Sequence, residues 1–154
     1  MQDKLVFKVN LNRLKEIANV LSKYLKEGDC LALYGNLGAG KTTFTSFLVK
    51  ALNIEEKVSS PTFTLINEYS SSNMVIKHID AYRLSMQDDI GIEEFLTNSL
   101  VIIEWPENLE KFLPSNHMKI FFEYSNDEER ELTFKITGNY KQKFIEELVK
   151  IRSL

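Results

Sequence analysis

A chain of 154 residues with 44% hydrophobic content suits a single domain and leaves little room for a second. Its net charge of −3 and isoelectric point near 5.5 exclude a broad basic face that grips nucleic acid by phosphate neutralisation, so any RNA connection is expected to run through a partner. One cysteine, Cys30, excludes a disulfide framework and a Cys-rich metal site and fits a reducing compartment.

Leu5 to Val9 reads as a short strand. The helix after it sets Leu11, Leu14, Ile17, Ala18, Leu21 and Leu25 on one face, with Asn10 or Asn12 as its cap and Gly28 as its stop. Cys30 to Tyr34 is an apolar run expected to be a buried strand. Lys41 to Leu52 carries Phe44, Phe47, Leu48 and Ala51 at helical spacing, so Gly35 to Lys41 joins a strand to a helix. Phe63 to Tyr69 and Met74 to Asp80 flank four polar turn residues and predict an antiparallel hairpin. Asp88 to Leu96 predicts a short helix with Asp88 or Asp89 near its positive end. Leu100 to Ile103 is continuously apolar, as in a parallel strand covered on both faces, and it ends in Glu104.

Pro106 and Pro114 punctuate a short helical segment. Met118 to Tyr124 and Leu132 to Thr137 alternate, with Met118, Ile120, Phe122 and Tyr124 facing one way, and form a second expected hairpin. Gly138 ends it, and a last helix to about Arg152 presents Phe144, Ile145, Leu148, Val149 and Ile151. Together these elements predict an α/β fold: one three-layer domain over residues 1–154, with a mixed, mainly parallel central sheet plus antiparallel hairpins. Periodicity leaves the strand order open. No run approaches membrane-spanning length, and the opening Met1 to Lys8 lacks the apolar stretch of a secretory signal, so the expected location is cytoplasmic.

The chemistry is carried by Gly35-Asn36-Leu37-Gly38-Ala39-Gly40-Lys41-Thr42, which fits a phosphate-binding loop. Backbone N–H groups can wrap a polyphosphate only where the chain bends tightly and side chains stay out of the way, which Gly35, Gly38 and Gly40 permit. The helix starting near Lys41 adds unsatisfied N–H groups and the positive end of its dipole. Lys41 supplies mobile charge for the outer phosphates, and the Thr42 hydroxyl suits Mg²⁺.

Hydrolysis also needs a held metal and an oriented water. Glu104, at the tip of an apolar strand, resembles a Walker B carboxylate with Glu in place of Asp. Asp80 ends another strand, and two-residue periodicity turns His78 to the same face, where the pair can stand behind Mg²⁺ and Thr42. Ser60-Pro61-Thr62-Phe63 follows the loop helix, where nucleotide-sensing segments sit in phosphate-loop proteins, and Thr62 can approach the metal or the outermost phosphate. Trp105 reads as packing beside the site.

Gly35 to Thr43, Ser60-Pro61-Thr62-Phe63, His78-Ile79-Asp80-Ala81-Tyr82-Arg83-Leu84 and Ile103-Glu104-Trp105-Pro106 together resemble, in order and spacing, the TsaE (YjeE) family. Its members are small bacterial P-loop ATPases needed to make threonylcarbamoyladenosine in tRNA. The resemblance covers nearly the whole chain. It implies that Gly38, Ala39, Gly40, Lys41, Thr42 and Thr43 contact ATP, that Thr42 and Glu104 serve Mg²⁺, and that Asp80 supports metal and water. It further implies a switch role for Thr62 and a nucleotide-bordering role for Arg130. The family has Asp where Asn36 stands, a change of little weight in a loop that works through backbone N–H groups.

The implied partners are the TsaB–TsaD pair, of which TsaD transfers the threonylcarbamoyl group. ATP hydrolysis would reset that complex, with tRNA contacted indirectly at most. Two alternatives use the same loop. A small-molecule kinase needs an acceptor pocket and an Arg-rich lid, and no such Arg cluster follows the first helix. A GTP-driven switch is suggested by Asp88-Asp89-Ile90-Gly91, which fits D-x-x-G, but no Asn-Lys-X-Asp for guanine is present.

Overall fold

Along Cys30–Tyr34 and Leu100–Glu104 every residue is buried, and successive side chains go to opposite sides. Leu31, Leu33, Leu100 and Ile102 join one core, whereas Cys30, Val101 and Ile103 join another. A sheet covered on both faces needs a core on each, so the apolar content divides in two. In the computed structural model, which describes residues 2–36, 38–61, 65–84, 89–137 and 142–153, these runs are the central strands β2 (Cys30–Tyr34) and β5 (Leu100–Glu104).

The remaining elements are β1 (Gln2–Val9), α1 (Leu11–Tyr24), α2 (Lys41–Ala51), β3 (Ile66–Ser70), β4 (Val75–Asp80) and α3 (Ile92–Leu96). A 3₁₀ helix (Pro106–Phe112), β6 (His117–Tyr124), β7 (Arg130–Thr137) and α4 (Gln142–Ser153) complete the chain. One sheet has the order β1-β7-β6-β2-β5-β4-β3. Its four inner strands β6, β2, β5 and β4 run parallel, and the hairpin β3–β4 and the strands β7 and β1 add antiparallel pairs at the two edges. The mixed α/β sheet predicted above is thus present, with its parallel part at the centre.

Helices α1, α2 and α4 cover one face. They bury Leu14, Ile17, Leu21, Phe44, Leu48 and Phe144 there. The opposite face is closed by α3 and the 3₁₀ helix through Ile92 and Leu109. Asn10 caps α1 by accepting from the Arg13 N–H at 2.9 Å. The helix stops at Leu25, whose extended backbone breaks the pattern three residues before Gly28; Gly28 only turns the chain onward. Leu11, expected on the apolar face, is 64% exposed and stands outside the core.

Three further expectations shift. Helix α3 starts at Ile92 rather than near residue 88: Asp89 accepts from the Gly91 N–H in a tight turn, and Asp88 lies outside the described residues. Tyr124 is exposed, since the inward alternation of β6 runs out at the hairpin tip. Strand β1 begins three residues before Leu5 because its backbone pairs with β7 over its full length. Phe63 and Gly138 lie outside the described residues.

Among the described residues no helix is long and apolar enough to cross a membrane. The parallel strands β2, β5 and β4 end together, with Leu33 opposite Glu104 and Glu104 opposite Asp80. Loops beyond the carboxyl ends of such strands are where an open α/β sheet binds ligands.

Burial also fixes the chemistry of the lone thiol. Cys30 is 0% exposed, and desolvation with Asp29 beside it pushes its thiol up to about 12. A thiol reagent at about pH 8 should leave the native protein unlabelled and modify one thiol per chain after denaturation. Rapid labelling of the native form, read by mass spectrometry, would contradict the buried placement of β2.

Candidate functional site

The chain leaves β2 at Tyr34 and enters α2 at Lys41 through a turn that only glycine can make at Gly35. Its φ is +145°, and a β-carbon there would stand 2.7 Å from the Phe122 carbonyl oxygen. Gly40, with φ of +112°, is the N-cap of α2. No side chain caps that end, so the first-turn N–H groups are available to an anion. Ala39 turns away into the core against Gly35, while Gly38 and Thr43 face the opening.

Lys41 is buried at the base of the loop. Its Nζ donates to the Gly35 carbonyl at 2.5 Å and lies 3.8 Å from the centroid of the Trp105 ring. Burial lowers its pKa, while the negative charges of Glu104, Glu107 and Asp80 act in the opposite direction. The next side chain turns toward the same carboxylate: Thr42 Oγ1 is 3.4 Å from each oxygen of Glu104.

Glu104 is only 5% exposed, and His78 Nε2 sits 2.5 Å from its Oε2. His78 and Asp80 project to one face of β4, as two-residue periodicity predicts, but they do different things. Asp80 stands one strand beyond Glu104, and its Oδ1 accepts from the Tyr82 N–H at 2.9 Å. Trp105 leaves β5 with a left-handed φ of +55°, unusual for a bulky residue. That turn puts its ring under Lys41 and against Tyr82, 5.1 Å between centroids.

A cleft of about 400 Å³ opens over these groups. Its floor is Gly38, Gly40, Lys41 and Thr42; Val9, Leu11 and Leu14 make an apolar wall, and the β6–β7 turn makes a polar one. From that turn Arg130 stacks 4.7 Å over Tyr124, donates to the Asn126 and Glu129 carbonyls, and comes within 3.5 Å of the Gly38 carbonyl. Its Nε is buried without a hydrogen-bond partner among the described residues. An unsatisfied cationic donor beside a phosphate-type loop suits an anionic ligand.

The donor set suits Mg²⁺. Thr42 and Glu104 offer hard oxygens, and among the described residues no group of three or more His, Cys, Asp or Glu side chains is placed to hold a metal ion. Magnesium is ordinarily held by one or two protein oxygens together with phosphates and water, unlike a zinc or calcium cage.

The structure thus gathers Gly38, Gly40, Lys41, Thr42, Thr43, Glu104 and Arg130 around one cleft, leaves Gly35 and Ala39 outside its lining and Asp80 a strand away, and includes Ser60 in the lining. Thr62 lies outside the described residues. Two contributors escaped the sequence reading, while Trp105 stands beside the site as expected. The wall of Val9 and Leu11 read as strand and helix packing. Tyr69, bonded to His78 Nδ1 at 3.2 Å, read only as one residue of a strand.

Residues 9–132 match the sequence profile of a family described as "Threonylcarbamoyl adenosine biosynthesis protein TsaE". A Bacillus subtilis protein described as "tRNA threonylcarbamoyladenosine biosynthesis protein TsaE" is 39% identical over 142 residues, covering 91% of this chain and 90% of that protein. A Rickettsia felis protein of the same description is 36% identical over 89% of this chain and 82% of its own length. The crystal structure of Bacillus subtilis YdiB superposes with a TM-score of 0.81 at 35% identity, covering 97% of both chains.

The contact between Gly35 and Phe122 is directly testable. Gly35→Ala should lower stability by more than about 1 kcal/mol, because both the positive φ and the Phe122 carbonyl oppose a β-carbon. Gly38→Ala, also at positive φ but with nothing within 4 Å, should lose only the conformational part, about 1 kcal/mol. Equal losses in urea unfolding would mean that β6 yields at the contact.

Proposed function

The chain belongs to the TsaE family, and from that premise we propose that it is a Mg²⁺-dependent, ATP-hydrolysing accessory protein in the formation of threonylcarbamoyladenosine in tRNA. It acts as one P-loop ATPase domain in the cytoplasm, on the TsaB–TsaD complex, and touches tRNA through those partners at most. The observation that carries this reading is the convergence of Lys41, Thr42 and Glu104 at the uncapped start of α2.

The residues divide the work. Backbone N–H groups of Gly38 and Gly40 and the first turn of α2 take the phosphates of ATP, aided by the helix dipole, and the Ala39 N–H joins them by giving up its bond to the Asn36 carbonyl. Lys41 exchanges the Gly35 carbonyl for the outer phosphates, and the Trp105 ring beneath it limits where the ammonium can go. Thr42 and Glu104 would hold Mg²⁺, which would neutralise charge on the phosphates when bound. Glu104, fixed by His78, orients the attacking water, and Asp80 adds negative field and shapes the backbone behind it. Thr43 and Arg130 border the nucleotide, Thr62 senses the outermost phosphate, and the base rests on Val9 and Leu11.

Hydrolysis is expected to be slow in the isolated chain and faster with partners. Phosphate release should be measured with and without TsaB–TsaD, alongside a pull-down in ATP and in ADP. Absence of any ATP-dependent release or association in both conditions would overturn the reading.

Two substitutions separate binding from turnover. Lys41→Ala should weaken ATP binding by about tenfold or more and abolish turnover, because a charge-assisted contact to phosphate is lost. Glu104→Ala should keep ATP binding within a few-fold while cutting hydrolysis by about 10²-fold. An unchanged rate in the second variant would assign the water to another carboxylate.

A further inference from the structure

Three neighbouring strands each contribute one side chain to a buried line of hydrogen bonds. Tyr69 of β3 meets His78 Nδ1 at 3.2 Å, His78 of β4 meets Glu104 Oε2 through Nε2 at 2.5 Å, and Glu104 of β5 faces Thr42. Tyr69 and His78 lie diagonally across the antiparallel pair, with ring centroids 5.9 Å apart. All three are buried, so each polar atom has to be matched within the line.

The Tyr69 hydroxyl has one proton and two lone pairs. Its oxygen faces two donors, the Ser59 N–H and Asn67 Nδ2, each at 3.4 Å. Its proton can go to the Ser59 carbonyl at 3.1 Å or to His78 Nδ1 at 3.2 Å. The Ser59 carbonyl already accepts from Asn67 Nδ2 at 3.2 Å. A carboxylate only accepts, so His78 must offer Glu104 an Nε2–H, and a ring carrying one proton then leaves a lone pair on Nδ1. The Tyr69 hydroxyl, 3.2 Å away, is the group placed to donate to that lone pair.

We propose that Tyr69 is a positioning residue for Glu104: by donating to His78 Nδ1 it holds the ring in the Nε2–H form that aims the carboxylate at Thr42. The proposal rests on the ATPase reading above for the use made of Glu104. Tyr69 itself does not line the cleft.

Nitrogen NMR of the two histidines tests the contact directly. His117 is an internal reference, because its Nδ1 lies 2.7 Å from the Pro114 carbonyl and must donate there. The ligand-free protein should therefore show His117 as the Nδ1–H form and His78 as the Nε2–H form. His78 found as Nδ1–H in the wild type would overturn the proposal without any variant.

Tyr69→Phe keeps the ring and removes the proton. It should erase the pure Nε2–H signature, lower kcat for MgATP by about tenfold, leave the KM for ATP within about twofold, and raise the half-saturating Mg²⁺ concentration for binding a fluorescent ATP analogue. An unchanged signature together with unchanged kcat and Mg²⁺ dependence would overturn it. If the wild type releases no phosphate from ATP, the ATPase reading fails on its own. The Mg²⁺ titration of analogue binding still decides the role of Tyr69: a raised midpoint in the variant supports it, an unchanged one sinks it.

Discussion

A carboxylate taken out of water has to be given partners, and the burial of Glu104 is the constraint around which this molecule is arranged. Left alone at that depth, the charge would cost several kcal/mol. Here it sits between an imidazole from one strand and a hydroxyl from a helix, with the ammonium of Lys41 nearby. Among the described residues the buried polar or charged ones are Lys41, Thr45, His78, Asp80, Ser99 and Glu104, and four of those six belong to this one neighbourhood. The other two, Thr45 and Ser99, are uncharged hydroxyls, so among the described residues the buried charge is concentrated at this one place.

The fold supplies the rigidity that such an arrangement requires. Parallel β2, β5 and β4 are tied by backbone bonds and sealed on both faces, which fixes the separation of Glu104, Asp80 and the phosphate loop to within a strand spacing. The antiparallel edges contribute differently. One brings Tyr69 up behind His78, and the other brings Arg130 over the loop. A site made only of the parallel strands would lack both its back support and its outer wall.

What could be read from residues alone followed the reach of each signal. Phosphate-loop chemistry is local: three glycines, a lysine and a threonine within eight positions sufficed to locate it, and the apolar run ending in Glu104 marked the facing carboxylate because burial on both faces leaves a continuous hydrophobic stretch. Both hairpins were legible from alternation and turn residues. Relations between distant segments were not. Alternation places Tyr69 in a strand, but only the register of β3 on β4 brings it to His78. Leu11 has helical spacing, yet it stands exposed at the cleft, since spacing along one helix does not say what faces it. Asp80 illustrates a third limit, since a strand-end carboxylate can serve a ligand or its own backbone, and the Tyr82 N–H claims one of its oxygens.

The near contact between residue 35 and β6 has a consequence for how this protein can vary. What crowds Gly35 most closely is the main-chain oxygen of Phe122, with that residue's β-carbon behind it. The loop therefore senses the path of its neighbouring strand more than the identity of the ring there. Residue 122 is free to exchange for other bulky apolar groups that fill the same volume beside Phe44, while residue 35 has no such latitude. The path of β6 beside β2 therefore sets which residue can stand at the first position of the loop, with every functional side chain elsewhere untouched.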